Sequence, residues 1–196
     1  MSSIKRICLF CGSNSGRNPA YVEGARSMAR AIVARGMGIV YGGGKVGMMG
    51  AAADAALGAG GEVIGVIPES LLALEVGHAG LAELHVVASM HERKKLMADL
   101  STAFIAMPGG FGTMEELFEV LTWAQLGIHG KPCGVLNIAG YYDGLIALCD
   151  SFVEERFSRP EHRTLLMVDT DPGTLLDRIA AYTPPPLTRW ITDTET

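Results

Sequence analysis

Apolar residues fall into short dense runs, each followed by a turn and then by a segment with helical periodicity. Residues 4–10, 38–41, 63–67, 84–87, 102–107, 133–138 and 165–168 read as strands. Residues 18–35, 47–58, 90–100, 113–126, 141–156 and 174–182 read as helices. This alternation predicts an α/β fold, Rossmann-like and doubly wound, with about seven mostly parallel strands and helices on both faces. Unbroken apolar strands such as Val63-Ile-Gly-Val-Ile67 agree, because strands covered on both sides carry no polar alternation. No repeat, low-complexity block or linker divides the chain, so 1–196 reads as a single nucleotide-binding domain. Thr183-Pro-Pro-Pro186 ends the last helix and leaves a short tail after 183.

In such a sheet, ligands bind beyond the carboxyl ends of the strands. Three of those ends are rich in glycine: Cys11-Gly-Ser-Asn-Ser-Gly16, Gly42-Gly-Gly-Lys-Val-Gly47 and Pro108-Gly-Gly-Phe-Gly-Thr113. Each precedes a helix, whose unpaired N–H groups and dipole favour an anion. Glycine also permits tight turns with no ligand, but three such loops together point to a phosphate-bearing one. Gly42-Gly-Gly-Lys-Val-Gly47 matches G-x-G-x-x-G, yet it follows the second strand, and of the nearby acidic residues Glu62 lies before the next strand and Glu69 comes late, after a proline. Nicotinamide binding is therefore a minority reading. No Gly-Lys-Ser/Thr closes the loop as a Walker A would.

Thr113-x-x-Glu116 has the form of a capping box. On the helix that follows, Leu117, Val120, Leu121, Ala124 and Ile128 cluster on one face, with Glu115, Glu119, Thr122 and Leu126 opposite and Trp123 on a flank beside Glu116. Those carboxylates are placed to hold sugar hydroxyls or developing positive charge. Ser89-Met-His-Glu92 is a second capping box, and Arg93 falls near the middle of its helix's apolar stripe of Leu96, Met97 and Leu100. An inward arginine is either a structural ion pair, a snorkelling stem, or a fork for a carboxylate or phosphate. Met90 is placed to lie against a flat base.

Composition narrows the partners. The 196 residues carry 16 Lys+Arg against 21 Asp+Glu, for a net charge of −5, which disfavours nucleic acid. No apolar run approaches the roughly 18 residues of a membrane span, and no signal peptide opens the chain, which reads as cytoplasmic. Cys8, Cys11, Cys133 and Cys149 read as reduced core thiols. The five histidines lack metal-ligand spacing, so neither a metal nor a cofactor is expected.

Pro108-Gly-Gly-Phe-Gly-Thr-Met-Glu-Glu116 resembles the PGGxGTxxE signature of the Lonely Guy family of cytokinin-activating phosphoribohydrolases. Met90-His-Glu-Arg93-Lys94 is similar to that family's upstream basic motif. Cys11-Gly-Ser13, Tyr41-Gly-Gly-Gly44, Gly47-Met-Met-Gly50 and Thr122-Trp-Ala-Gln-Leu-Gly127 also match. The resemblance implies a homodimer that hydrolyses the N-glycosidic bond of N6-modified adenosine 5′-monophosphates, with AMP as a further substrate. It assigns catalysis to Arg93 and Glu116. It assigns substrate binding to Lys94, to Gly110, Phe111, Gly112, Thr113, Met114 and Glu115, and to Thr122, with Glu75 matched by its distance upstream and Ser13 by location; Gly109 in the same glycine loop and Met90 are expected to bind substrate with them. Relatives labelled lysine decarboxylases find little echo here, since no lysine has an evident pyridoxal-phosphate setting. A non-catalytic nucleotide-binding module and a nicotinamide-dependent oxidoreductase stand as alternatives.

Overall fold

The computed structural model describes residues 4–75, 77–78 and 80–186, without the side chains of residues 73–75. Its strands are β1 (Arg6–Phe10), β2 (Gly38–Tyr41), β3 (Val63–Pro68), β4 (Glu83–Val87), β5 (Ala103–Ala106), β6 (Cys133–Leu136) and β7 (Leu166–Asp169). All neighbouring pairs are parallel, in the order β4-β3-β2-β1-β5-β6-β7. The order reverses between β1 and β5, where the chain leaves one half of the sheet for the other. The predicted α/β class and strand number hold.

The helices are α1 (Pro19–Ala34), α2 (Gly47–Gly58), α3 (Glu69–Glu75), α4 (Met90–Leu100), α5 (Phe111–Gln125), α6 (Asp143–Glu154), α7 (Pro160–Arg163) and α8 (Pro172–Ala180). Period-two alternation decides which helices each strand meets. Ile7, Leu9, Ile39 and Ile105 face a core with α1, α2 and α8, while Cys8, Phe10, Val40 and Phe104 face one with α4, α5 and α6. Alanine-rich α2 carries Ala52, Ala53 and Ala56 into the first core, where small side chains let helix and sheet approach closely. The Cys8 and Cys11 thiols are buried, and burial pushes both pKa values up. No helix among the described residues is long and apolar enough to cross a membrane.

Elements α3, α6 and α8 differ from the sequence reading, as does the single turn α7, for which no helix was expected. α3 was not foreseen, because seven residues directly after Pro68 offer too little periodicity to separate helix from loop. The helix expected from Tyr141 begins at Asp143, since Tyr141 and Tyr142 belong to a corner that follows a 3-10 turn at Ile138–Gly140. That corner is tied by Asn137, whose amide donates to Asp143 Oδ1 and whose side-chain oxygen accepts from the Tyr142 N–H, both at 2.7 Å. The last helix ends at Ala180, two residues before the expected stop.

Candidate active site

A cavity of about 590 Å³ opens at the carboxyl ends of β1, β2 and β5, at the point of strand-order reversal. Its lining includes Ser13, Gly42, Met90, Arg93, the run Pro108–Thr113 without exception, Glu115, Glu116 and Tyr141. Leu9 and Met48 reach it from the core.

The three glycine loops are not equivalent. After β1, Gly12 donates to the Pro108 carbonyl at 3.0 Å, and α1 starts later with its own cap, Asn18 accepting from the Ala20 N–H at 3.0 Å. After β2, the first amides of α2 are already taken: Met48 and Met49 N–H both donate to the Gly12 carbonyl, at 3.1 and 3.3 Å. The Gly43 carbonyl accepts from His78 N–H, and Gly44 pairs with Gly77. Gly47 holds a left-handed φ of 64°, and a Cβ there would lie 2.2 Å from the Ser13 carbonyl oxygen. These glycines serve close packing, so the expected anion cradle is corrected at the β2 loop, while the β1 loop lines the cavity through Gly12, Ser13, Asn14 and Gly16.

The third loop is open. α5 begins at Phe111 with Gly110 as its N-cap and no side-chain cap. The N–H groups of Phe111, Gly112 and Thr113 have no partner among the described residues. A Cβ at Gly110 or Gly112 would meet nothing within 4 Å. The Thr113 capping box is thereby overturned: the helix starts two residues earlier, and Thr113 is buried, its hydroxyl against Gly109. The other box forms, with Ser89 Oγ accepting from Glu92 N–H at 3.2 Å, although Glu92 reaches back to the N–H of Ala88 and not of Ser89.

Arg93 points inward as expected and is only 6% exposed. Its Nη2 donates to the Gly42 carbonyl at 3.4 Å, Nη1 lies 3.8 Å from Met90 Sδ, and buried Nε has no partner. Arg93 thus faces the cavity without a carboxylate in contact. Glu116 also lines it, and burial raises its pKa from the ordinary carboxylate value to about 7. The positive charges of Arg93 and Lys94 oppose that rise, and those of Glu115 and Glu119 add to it. Desolvation wins because no cation contacts Glu116 directly.

Lys94 is turned away from the cavity. Its ammonium bridges Glu115 and Glu119, the latter at 2.8 Å, joining α4 to α5. Burial pulls its pKa down, but these two hydrogen bonds outweigh it and the net direction is up. Met114 packs into the core beside α5. Thr122 is exposed, donates to the Phe118 carbonyl at 2.7 Å, and borders a separate cavity of about 190 Å³ with Cys149 and Phe152. Glu75 closes α3, and its side chain lies outside the described residues. Ile128, assigned to the apolar face, follows the end of α5 and is 39% exposed. Phe111 stands at the rim, 96% exposed. Tyr21 and Tyr141 line the cavity and were missed; adjacent tyrosines after a strand were the available signal at Tyr141.

A family profile described as "Possible lysine decarboxylase" matches residues 49–179. The "Cytokinin riboside 5'-monophosphate phosphoribohydrolase LOG5" of Arabidopsis thaliana is 45% identical over 183 residues, covering 93% of this chain and 80% of that protein. The chain belongs to the Lonely Guy family. A rice (Oryza sativa subsp. japonica) member, "Probable cytokinin riboside 5'-monophosphate phosphoribohydrolase LOGL6", is 47% identical over 93% of this chain and 73% of its own. The fold of this Lonely Guy member is shared more widely. The molybdenum cofactor binding protein of Rippkaea orientalis superposes with a TM-score of 0.70 at 20% identity, over 92% of this chain and 98% of that one.

Proposed function

We propose that the protein hydrolyses the N-glycosidic bond of N6-modified adenosine 5′-monophosphates, and of AMP, releasing free base and ribose 5-phosphate. The names of its relatives support the substrate class. The carrying observation is Glu116: a carboxylate with a pKa of about 7, in a cavity whose one open helix start supplies three unpartnered amides. The phosphate sits on those amides, where N–H groups and dipole act together. Cleavage passes through an oxocarbenium-like state, and an ionised Glu116 stabilises it while taking a proton from the attacking water. Glu115 accepts from ribose hydroxyls, with Lys94 fixing its carboxylate from behind. Arg93, with Nε still unbonded, either holds a ligand oxygen or assists the departing base.

Thr122 does not line this cavity but borders the separate one with Cys149 and Phe152, so its substrate contact fits best as one made to a second copy, in a homodimer. The defining experiment incubates the protein with isopentenyladenosine monophosphate, AMP and adenosine and measures free base. Both monophosphates should turn over and adenosine should not, because phosphate binding supplies the energy that orients the reacting centre. Equal turnover of adenosine and AMP removes the phosphate from the mechanism.

A further inference from the structure

The segment Met107-Pro108-Gly109 leads from β5 into α5, and all three of its carbonyls are occupied. Tyr142 Oη donates to Met107 at 2.6 Å, Gly12 N–H donates to Pro108 at 3.0 Å, and Tyr141 Oη donates to Gly109. The first two donors are buried or inside the loop packing. Tyr141 is 41% exposed and lines the cavity, so it is the grip that faces the ligand.

Its own position is determined. The corner carrying it is held by the Asn137 bonds to Asp143 and Tyr142, and its ring stands edge-on to Tyr21 and Tyr142 at centroid distances of 5.5 and 5.1 Å. What it grips carries no side chain of its own: Gly109 and Gly110 are adjacent glycines, and while Gly109 packs against Thr113 and Gly12, Gly110 borders open space, so this hydrogen bond sets the peptide plane between them. A trans peptide sets its N–H opposite its C=O, so fixing the Gly109 carbonyl also fixes the direction of the Gly110 N–H and the entry into α5.

We propose that Tyr141 is a positioning residue: its hydroxyl locks the Gly109–Gly110 peptide plane so that the free amides at the start of α5 converge on the substrate phosphate. This rests on the phosphoribohydrolase reading of the site. Donation into the Gly109 carbonyl also polarises that peptide, which makes the Gly110 N–H a better donor.

Tyr141→Phe keeps the ring contacts and removes only the hydroxyl. In the ligand-free variant, backbone order parameters at Gly109, Gly110 and Gly112 should fall from the rigid range of about 0.85 toward 0.6. The Kd of ribose 5-phosphate, read by calorimetry, should weaken about tenfold, with KM for the monophosphate rising in step and kcat changing less than about threefold. Unchanged order parameters with weakened affinity would make Tyr141 a direct ligand contact, and no change in either would make the bond incidental; both results overturn the proposal. A wild-type protein that neither binds ribose 5-phosphate nor releases base overturns the reading of the site itself, a result distinct from a wild type that binds and a variant that matches it.

Discussion

The β2–α2 and β5–α5 turns look alike in sequence, each a strand end followed by clustered glycines and a helix, yet they use glycine for opposite purposes. In the first, missing Cβ atoms let backbone meet backbone: Gly47 against Ser13, and the Gly12 carbonyl against the amides of Met48 and Met49. In the second, Gly110 and Gly112 border empty space, and the amides between them are unclaimed. A glycine-rich turn is thus a ligand site only where its donors remain free. Which turn keeps them free depends on a third segment, here the β1 loop, which spends its carbonyl on α2.

The largest expected effect bears on what the open turn serves. Glu116→Gln should lower kcat/KM by about 10²–10⁴-fold in a base-release assay, the usual worth of a positioned acid–base group. The same substitution should stabilise the protein. The folded pKa of Glu116 is raised from 4.5 to about 7, so its carboxyl favours folding below pH 4.5 and that advantage is lost as pH rises through 7. The glutamine variant should therefore gain on the order of 3 kcal/mol over wild type at pH 8 and little at pH 4, measured by urea denaturation. Wild-type kcat/KM should in turn fall as pH drops below about 7, and a flat profile between pH 5.5 and 8 would remove Glu116 as the base.

Next come the closed turn's contacts. Gly47→Ala places a Cβ 2.2 Å from a backbone oxygen at a φ of 64°, and should cost about 2–4 kcal/mol of stability. Gly42→Ala places one 2.0 Å from Arg93 Nη2, so the guanidinium must move; kcat/KM should fall about 10–100-fold with a smaller stability loss. The smallest effect is the most diagnostic. Gly112→Ala meets no atom and lies in a helix, so it should raise stability by up to about 1 kcal/mol while increasing KM for the monophosphate several-fold. If Gly112→Ala destabilises as Gly47→Ala does, the contrast between the two turns fails.

What the sequence made legible was local. Strand runs, the Ser89 cap and the inward Arg93 all depend on spacing within one element, and each holds. The Thr113 cap failed because a helix can start on glycine amides left free for a ligand, a choice that no spacing rule encodes. Lys94 is assigned to substrate binding by the family resemblance, and its bridge to Glu115 and Glu119 was not legible because those partners lie on another helix that only the packing of α4 on α5 brings near. The hydrogen bond of Tyr141 was illegible for the same reason, its acceptor lying 32 residues earlier in the chain.

The strand order has a consequence for how the site comes into being. β1 to β4 pair with near neighbours in sequence, as do β5 to β7, but the seam between the halves joins Ile7 to Ala103 and Phe10 to Ala106. Closing that seam spans the longest loop in the sheet and carries the largest entropic barrier. The cavity straddles the seam and has walls from both halves, so neither half alone contains it. If the cavity takes a nucleotide as proposed, its binding reports completion of the sheet, and a ligand added during refolding selects chains that have already zipped their two halves together.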